Sequence, residues 1–467
     1  MSDYGLLIDG RLVPGDLEMD VINPATETVL ARCARASAAQ LDAAVAAAKR
    51  AFPGWRDTPI EQRRAALNAI ADRLEAHADE LARLLTSEQG KPFADARGEI
   101  IGSVGYFRHY AQANLDVQVL EDSKSRRVEV HHVPLGVVGA IVPWNFPMVL
   151  LAFKLPPALV TGNTVVVKPA ATTPLTTLRF GALVADLLPP GVLNIITDAN
   201  DLGAALTAHP DVRKISFTGS TETGKRVMAG AAPTLKRVTL ELGGNDAAII
   251  LPDADARAVA AKVFKQAFAN SGQVCIAIKR VYVHESMYDE VCIELARLAD
   301  EAVVGDGSEP GTQYGPVQNK AQYEKLKTLI AEAKDQGRII AGGYALERAG
   351  YFIRPTVVRD IAEGSRLVDE EQFGPVLPVM KYATVDEAVA RANASPYGLG
   401  SSVWGSDSAA AARVAARIEA GTVWVNKHRE LSPAIPFGGC KWSGVGTELG
   451  EYGLEEFTQV KVVNIAR

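Results

Sequence analysis

Six short apolar runs, recurring at helix-length intervals from Val137 onward, constrain this chain more than any other feature. They occupy residues 137–142, 164–167, 192–197, 213–217, 237–241 and 247–251. A strand with one wet face alternates apolar and polar residues, and these runs do not alternate. Continuous Val/Ile-rich strands separated by helix-length segments predict a parallel sheet covered on both faces. Such sheets bind ligands beyond the carboxyl ends of their strands, so chemistry is expected in the loops leaving those ends. Beyond residue 275 a second alternation begins, with a strand at 280–284, helices at 287–301 and 318–336 around a loop at 305–316, and strands at 338–341 and 375–382. A helix at 385–394, a strand at 400–404, a helix at 407–419 and a strand at 422–425 complete it. At 467 residues the chain is too long for one core, and two or three domains are expected.

Upstream, residues 6–13 and 19–22 read as short strands around Pro14-Gly15, followed by Ala-rich helices at 38–52, 60–89 and 92–115. Residues 126–133 alternate as an unusually polar strand, either an arm that pairs with another subunit or a solvated hairpin. Residues 457–464 alternate with no hairpin partner nearby, and an orphan strand invites pairing across subunits. A formal charge of −6 argues against a nucleic-acid or anionic-membrane partner. No apolar run reaches about 18 residues, so no membrane span is expected. Cys33, Cys275, Cys292 and Cys440 form no C-x-x-C pair. That excludes a zinc finger, predicts no metal site, and fits free thiols in a reducing cytoplasm. The first residues lack a basic region followed by an apolar one, which again leads us to expect a cytoplasmic protein.

Two residues stand out chemically. Glu241 ends an apolar strand pattern at Gly243-Gly244, and Cys275 follows the polar turn Asn270-Ser-Gly-Gln-Val. Burial of a carboxylate raises its pKa, so such a group is costly unless paired or used. A cysteine after a Gly turn is placed where backbone N–H groups can favour its thiolate. Together they are the minimum for covalent catalysis followed by hydrolysis. Taken blandly, they are a strand-end carboxylate and a small buried hydrophobe. In the loop Pro143-Trp-Asn-Phe-Pro147, the Asn145 amide is able to donate to an oxyanion or simply to hold a turn. Lys168 ends a strand, where it would meet ribose or phosphate, or water. Ser220 begins a helix whose dipole and free N–H groups favour an anion. Gly219 to Lys225 also spells G-x-x-x-x-G-K, the P-loop of a nucleotide-binding protein, but Arg226 replaces the Ser or Thr that motif requires.

The chain resembles the aldehyde dehydrogenase superfamily over nearly its whole length. Seven motifs recur in order: Pro-Trp-Asn-Phe-Pro (143–147), Val-Lys-Pro (167–169), Phe-Thr-Gly-Ser-Thr (217–221), Glu-Leu-Gly-Gly (241–244), Gly-Gln-Val-Cys (272–275), Glu-Glu-Gln-Phe-Gly-Pro (370–375) and Pro-Phe-Gly-Gly (436–439). The resemblance implies two doubly wound α/β domains plus a small β oligomerisation arm. The Rossmann-like cofactor domain would span 1–115 and 135–243, the catalytic domain 244–445, and the arm 116–134 and 446–467. It implies Cys275 as nucleophile, Glu241 as base, and Asn145 with the Cys275 N–H as oxyanion hole. Trp144, Lys168, Ala171, Gly219, Ser220, Leu242, Glu371 and Phe373 would meet NAD or NADP. Phe146, Leu150, Phe153, Val274, Ile276, Leu431 and Phe437 would line the substrate tunnel, and Lys154 and Glu448 would form a proton path. The presence of Glu241 favours release of a carboxylic acid over acyl transfer to coenzyme A.

Two departures bear on the cofactor. Many NAD-using relatives carry a glutamate where this chain has Ala171, and often a glycine where it has Asp198, which leaves NAD against NADP open. A homodimer or homotetramer is expected. The apolar tunnel suits a neutral aliphatic or aromatic aldehyde. The charged run Lys427-His-Arg-Glu430 allows two views of Arg429: a solvated rim residue neutralised by Glu430, or a grip on the distal carboxylate of a semialdehyde.

Overall fold

The computed structural model describes residues 4–467. Two sheets organise it. In the first, Leu193–Ile195, Thr164–Lys168, Val137–Ile141, Val212–Thr218 and Arg237–Glu241 lie side by side in parallel. Every residue of Val137–Ile141 and Thr164–Lys168 is buried, which is why neither alternates in sequence. The second sheet runs Arg338–Ala341, Thr356–Arg359, Val376–Tyr382, Ile278–His284, Asp246–Ile250, Gly400–Trp404 and Thr422–Val425, with only its first strand antiparallel. The sixth apolar run thus belongs to the second sheet. The chain leaves the first sheet at Glu241 and enters the second at Asp246, so Leu242 to Asn245 bridge the two.

Several elements depart from expectation for identifiable reasons. Residues 6–13 are not one strand but a hairpin, Leu6–Ile8 with Arg11–Val13, reversed at Asp9-Gly10 with φ of 54° and 73°. Leu17–Ile22 pairs with Val29–Arg35, a strand hidden by its charged residues. The helix expected at 60–89 breaks at His77, whose ring meets Glu80 at 2.8 Å across the new helix start. The helix expected to reach residue 115 ends at Tyr110.

The largest correction concerns the terminal strand. Thr458–Ala466 is no orphan: it pairs antiparallel with Arg126–Pro134 of the same chain, from Thr458 opposite Pro134 to Ala466 opposite Arg126. Gln118–Asp122 completes a three-stranded sheet. The outer edge of Thr458–Ala466 has no strand beside it among the described residues, and Val460, Val462 and Ile465 on it are exposed.

Candidate active site

The loops at the carboxyl ends of the first sheet converge on a cavity of roughly 220 Å³. Pro143, Trp144 and Asn145 come from the loop after Val137–Ile141, Thr218 from the end of Val212–Thr218 with Gly219 and Ser220 just beyond it, and Leu242 and Gly243 from the bridge between sheets. Leu150, Cys275, Glu371 and Phe373 close it.

Cys275 follows a backbone held in a sparsely populated conformation. Asn270, Ser271 and Gly272 have φ of 47°, 53° and 74°. Left-handed non-glycine residues persist only where their surroundings over-determine them. Here the Ser271 hydroxyl donates to Gly315 O at 2.7 Å, the Asn270 amide to Asn145 O at 3.1 Å, and the Gln273 amide to Asn270 O at 3.0 Å. Gln273 Oε1 accepts the Gln318 N–H at 2.8 Å. The Lys279 ammonium donates to Val274 O and Cys275 O, both at 2.7 Å. The loop therefore presents the thiol from a rigid frame. The expected thiolate is not what this frame favours: burial pushes the Cys275 thiol up to about 12, and Lys279 only partly opposes that.

Asn145 is buried and donates from Nδ2 to Gln273 O at 2.9 Å, so its amide is tied to the loop that carries Cys275. One further N–H remains on that nitrogen. Among the described residues no acceptor in the chain takes the Cys275 N–H. Glu241 is buried, and neither of its carboxylate oxygens has a hydrogen-bond partner among the described residues. It does not line the cavity that holds Cys275, although its neighbour Leu242 does. Burial, then the charge of Glu448, lift its pKa well above the usual carboxylate range, and the Lys154 ammonium opposes them. Lys154 is itself fully buried, bonded to Glu448 and to Thr218 Oγ1.

Most of the residues expected at a cofactor lie together. Trp144, Gly219, Ser220, Leu242, Glu371 and Phe373 all line the cavity, with the Trp144 and Phe373 rings edge to face at 5.3 Å. Ser220 caps the helix Thr221–Ala231 through the Thr223 N–H. Glu371 accepts the Gly244 N–H at 2.9 Å and lies 3.9 Å from Lys279. Burial raises its pKa, against those two contacts. Lys168 and Ala171 are not on this wall. Lys168 is buried and held by Asp198 at 2.6 Å, while Asp198 also accepts the Leu202 N–H at 2.8 Å. Asp198 is therefore neutralised by a lysine rather than left facing open space.

The seven expected tunnel residues and Cys275 belong to one apolar cluster. Leu150 reaches the Cys275 cavity, and Phe146 lines a second cleft together with Lys91, Asp95, Glu99, Asn270 and Arg429. Phe153, Val274, Ile276 and Phe437 are buried in that cluster and line neither space, and Leu431 is half-buried. The view of Arg429 as neutralised by Glu430 is corrected: Glu430 pairs with Lys427 at 2.8 Å. Arg429, at φ 60°, donates to Gln266 Oε1 at 3.1 Å and faces the cleft, with no carboxylate within 4.0 Å among the described residues.

Sequence reasoning missed several residues here. Gln322 and Lys325 line the cavity from the helix Lys320–Gln336 and bond the Glu371-Gln-Phe373 backbone, Lys325 to Glu371 O at 2.8 Å. They look like ordinary solvent-facing positions on an amphipathic helix. His428 is buried, bonding Ile276 O at 2.8 Å, although its neighbours in sequence are charged. Lys91 and Glu99 are buried beside Asn145, and no motif marked them.

The aldehyde dehydrogenase family model matches residues 13–463. A mitochondrial aldehyde dehydrogenase of Leishmania tarentolae is 42% identical over 470 residues, covering 99% of this chain and 94% of its own. A phenylacetaldehyde dehydrogenase of Pseudomonas fluorescens is 40% identical, covering 99% of this chain and 96% of its own. Among solved structures, an aldehyde dehydrogenase of Bacillus cereus in complex with NAD⁺ superposes with a TM-score of 0.97 at 39% identity, covering 99% of this chain and 96% of its own. The P-loop alternative falls with these matches, and Lys225 is exposed and paired with Glu222. Fold, site geometry and relatives agree: this chain belongs to the aldehyde dehydrogenase family and oxidises aldehydes to acids.

Proposed function

We propose that the chain oxidises its aldehyde with NAD⁺ or NADP⁺ through a thioester on Cys275 that water then hydrolyses. One observation carries this reading. Cys275 and Asn145 share a cavity with Leu242, Glu371 and Phe373, while Glu241, next to Leu242 in the chain, is buried with both oxygens free of hydrogen bonds among the described residues.

The cavity fits a dinucleotide. It lies at the carboxyl ends of parallel strands, has aromatic walls in Trp144 and Phe373, and offers the capped helix start at Ser220. Trp144, Gly219, Ser220, Leu242, Glu371 and Phe373 would hold it, with Lys168 and Ala171 at the neighbouring strand end. Once bound, it would supply a nicotinamide able to accept hydride from the carbon attached to sulfur. The chain does the rest. The Cys275 sulfur attacks the carbonyl carbon as its proton passes to solvent water, and the free Asn145 N–H with the Cys275 N–H stabilises the new alkoxide. After hydride loss, Glu241 takes a proton from water, the resulting hydroxide adds to the thioester, and the C–S bond breaks. Glu241 must be ionised to do this, and its raised pKa makes hydrolysis sensitive to pH.

We assign the cofactor domain to 1–115 and 135–243, the catalytic domain to 244–445, and the oligomerisation arm to 116–134 and 446–467. The apolar walls support a neutral aliphatic or aromatic aldehyde. A second reading, a semialdehyde, is supported by Arg429 facing the cleft without a carboxylate partner. Comparing kcat/KM for hexanal, benzaldehyde and succinate semialdehyde, in wild type and Arg429→Ala, separates them. The neutral aldehydes are expected to win; a semialdehyde preference that collapses in the variant would reverse the assignment. Cys275→Ala should abolish NAD(P)H production with cofactor binding retained, and steady turnover in that variant would refute the thiol mechanism.

A further inference from the structure

Lys91 and Glu99 form an ion pair at 2.6 Å whose side chains are 0% and 1% exposed. Burying two charges is expensive, and apolar replacements of such pairs are often as stable, so fold stability alone explains the pair poorly. Its contacts explain it better. The Lys91 ammonium donates to Glu99 and to Asn145 O at 2.8 Å, and lies 3.6 Å from the centre of the Phe146 ring. Glu99 accepts the N–H groups of Met148 and Val149 at 2.9 and 3.2 Å, in the first turn of the helix Pro147–Val160. A carboxylate there is favoured by the helix dipole. One ion pair thus holds residues 145, 146, 148 and 149.

A second buried glutamate isolates what the lysine adds. Glu88 caps the helix Leu175–Val184 through the Leu175 and Thr176 N–H groups at 2.7 and 2.9 Å. No cation pairs with it within 4.0 Å among the described residues. Holding a helix start by a buried glutamate therefore does not require a lysine in this fold. At Glu99 the lysine is present, and its remaining polar contact is the Asn145 carbonyl. Asn145 is then fixed at both ends: its carbonyl by Lys91 and Asn270, its amide by Gln273.

We propose that Lys91 and Glu99 are positioning residues that set the Asn145 amide for the oxyanion formed at Cys275. This rests on reading Asn145 as the oxyanion donor. A misplacement of about 1 Å at a catalytic group costs on the order of 100-fold, and losing one such donor costs roughly 100- to 1,000-fold. The test is a double-mutant cycle read by the first-turnover rate of NADH formation per folded enzyme. Lys91→Met is expected to slow that step about 30-fold in the wild-type background and no more than about twofold in Asn145→Ala. The KM for NAD⁺ should stay within about twofold, which a general loosening of the fold would not allow. Glu99→Gln, which keeps an oxygen for the helix N–H groups but removes the charge, provides a second arm and should show the same dependence on Asn145. Equal slowing in both backgrounds, or no slowing in the wild type, overturns the proposal. If Asn145→Ala itself proceeds at the full rate, the oxyanion reading fails instead, and the positioning role fails with it.

Discussion

Gly243→Ala tests how closely the bridge between the sheets is fitted to the cofactor residues. Gly243 does not have a positive φ, so alanine meets no backbone strain there. Its methyl would lie 2.5 Å from Glu371 Oε2. Ordinary contact begins near 3.4 Å, so the carboxylate must retreat by about 0.9 Å. Glu371 accepts the Gly244 N–H at 2.9 Å through its other oxygen, Oε1, so the carboxylate group has to swing away as a unit and that bond is expected to weaken or break. A hydrogen bond to a charged group contributes roughly 1.5–3 kcal/mol, which corresponds to about 10- to 100-fold in rate or affinity. The loss should fall on the cofactor, because Glu371 lines its cavity. Steady-state kinetics with NAD⁺ and aldehyde varied separately, together with fluorescence titration of NADH, reads it directly. The KM for NAD⁺ should rise at least tenfold, with the KM for aldehyde changed by less than about threefold. Cofactor kinetics matching the wild type would refute the placement of Glu371 at the cofactor.

Glu88 gives a pH signature: burial, aided by the charge of Glu99, outweighs the hydrogen bonds from Thr176 and Leu175 and lifts its carboxyl from 4.5 up to about 7. The raised native pKa stabilises the fold fully below the unfolded value, and that contribution is lost as pH rises through about 7, a loss of roughly 3 kcal/mol. Glu88→Gln should therefore flatten the decline in urea-unfolding stability between pH 5 and 8, and parallel profiles would contradict this. Both cofactors should be accepted, with NAD⁺ favoured because Asp198 already occupies Lys168. Ala171→Glu should depress NADP⁺ use selectively by like-charge repulsion, and an unchanged cofactor ratio would show that residue 171 is not at the ribose. The free edge of Thr458–Ala466 should join subunits, so light scattering should exceed the monomer mass and Val462→Asp should lower it; a wild-type reading near 50 kDa would defeat the arm assignment.

The apolar runs were readable because burial on both faces leaves an uninterrupted Val/Ile signature, as in Thr164–Lys168. Cys275, Glu241 and Asn145 stand out in the sequence because motifs surround them. What was hidden depended on tertiary contact. Thr458–Ala466 looked unpartnered only because Arg126–Pro134 lies more than 300 residues earlier. Lys91 lies in the short link before the helix Phe93–Tyr110 and Glu99 within that helix, and only the packed structure pairs them and brings Lys91 to the Asn145 carbonyl. The surroundings of the Cys275 thiol were hidden for a similar reason: a local turn suggests N–H groups, whereas packing from distant segments raises its pKa.

The central claim is a covalent acyl intermediate on Cys275 released by Glu241, and trapping it in Glu241→Gln is the most direct measurement. Rapid mixing with NAD⁺ and a neutral aldehyde should give a burst of NADH of about one per active site, followed by little turnover. Mass spectrometry of the quenched protein should then find the acyl mass on the peptide containing Cys275. Hydride transfer and turnover falling together, with no burst and no adduct on that peptide, would contradict the account.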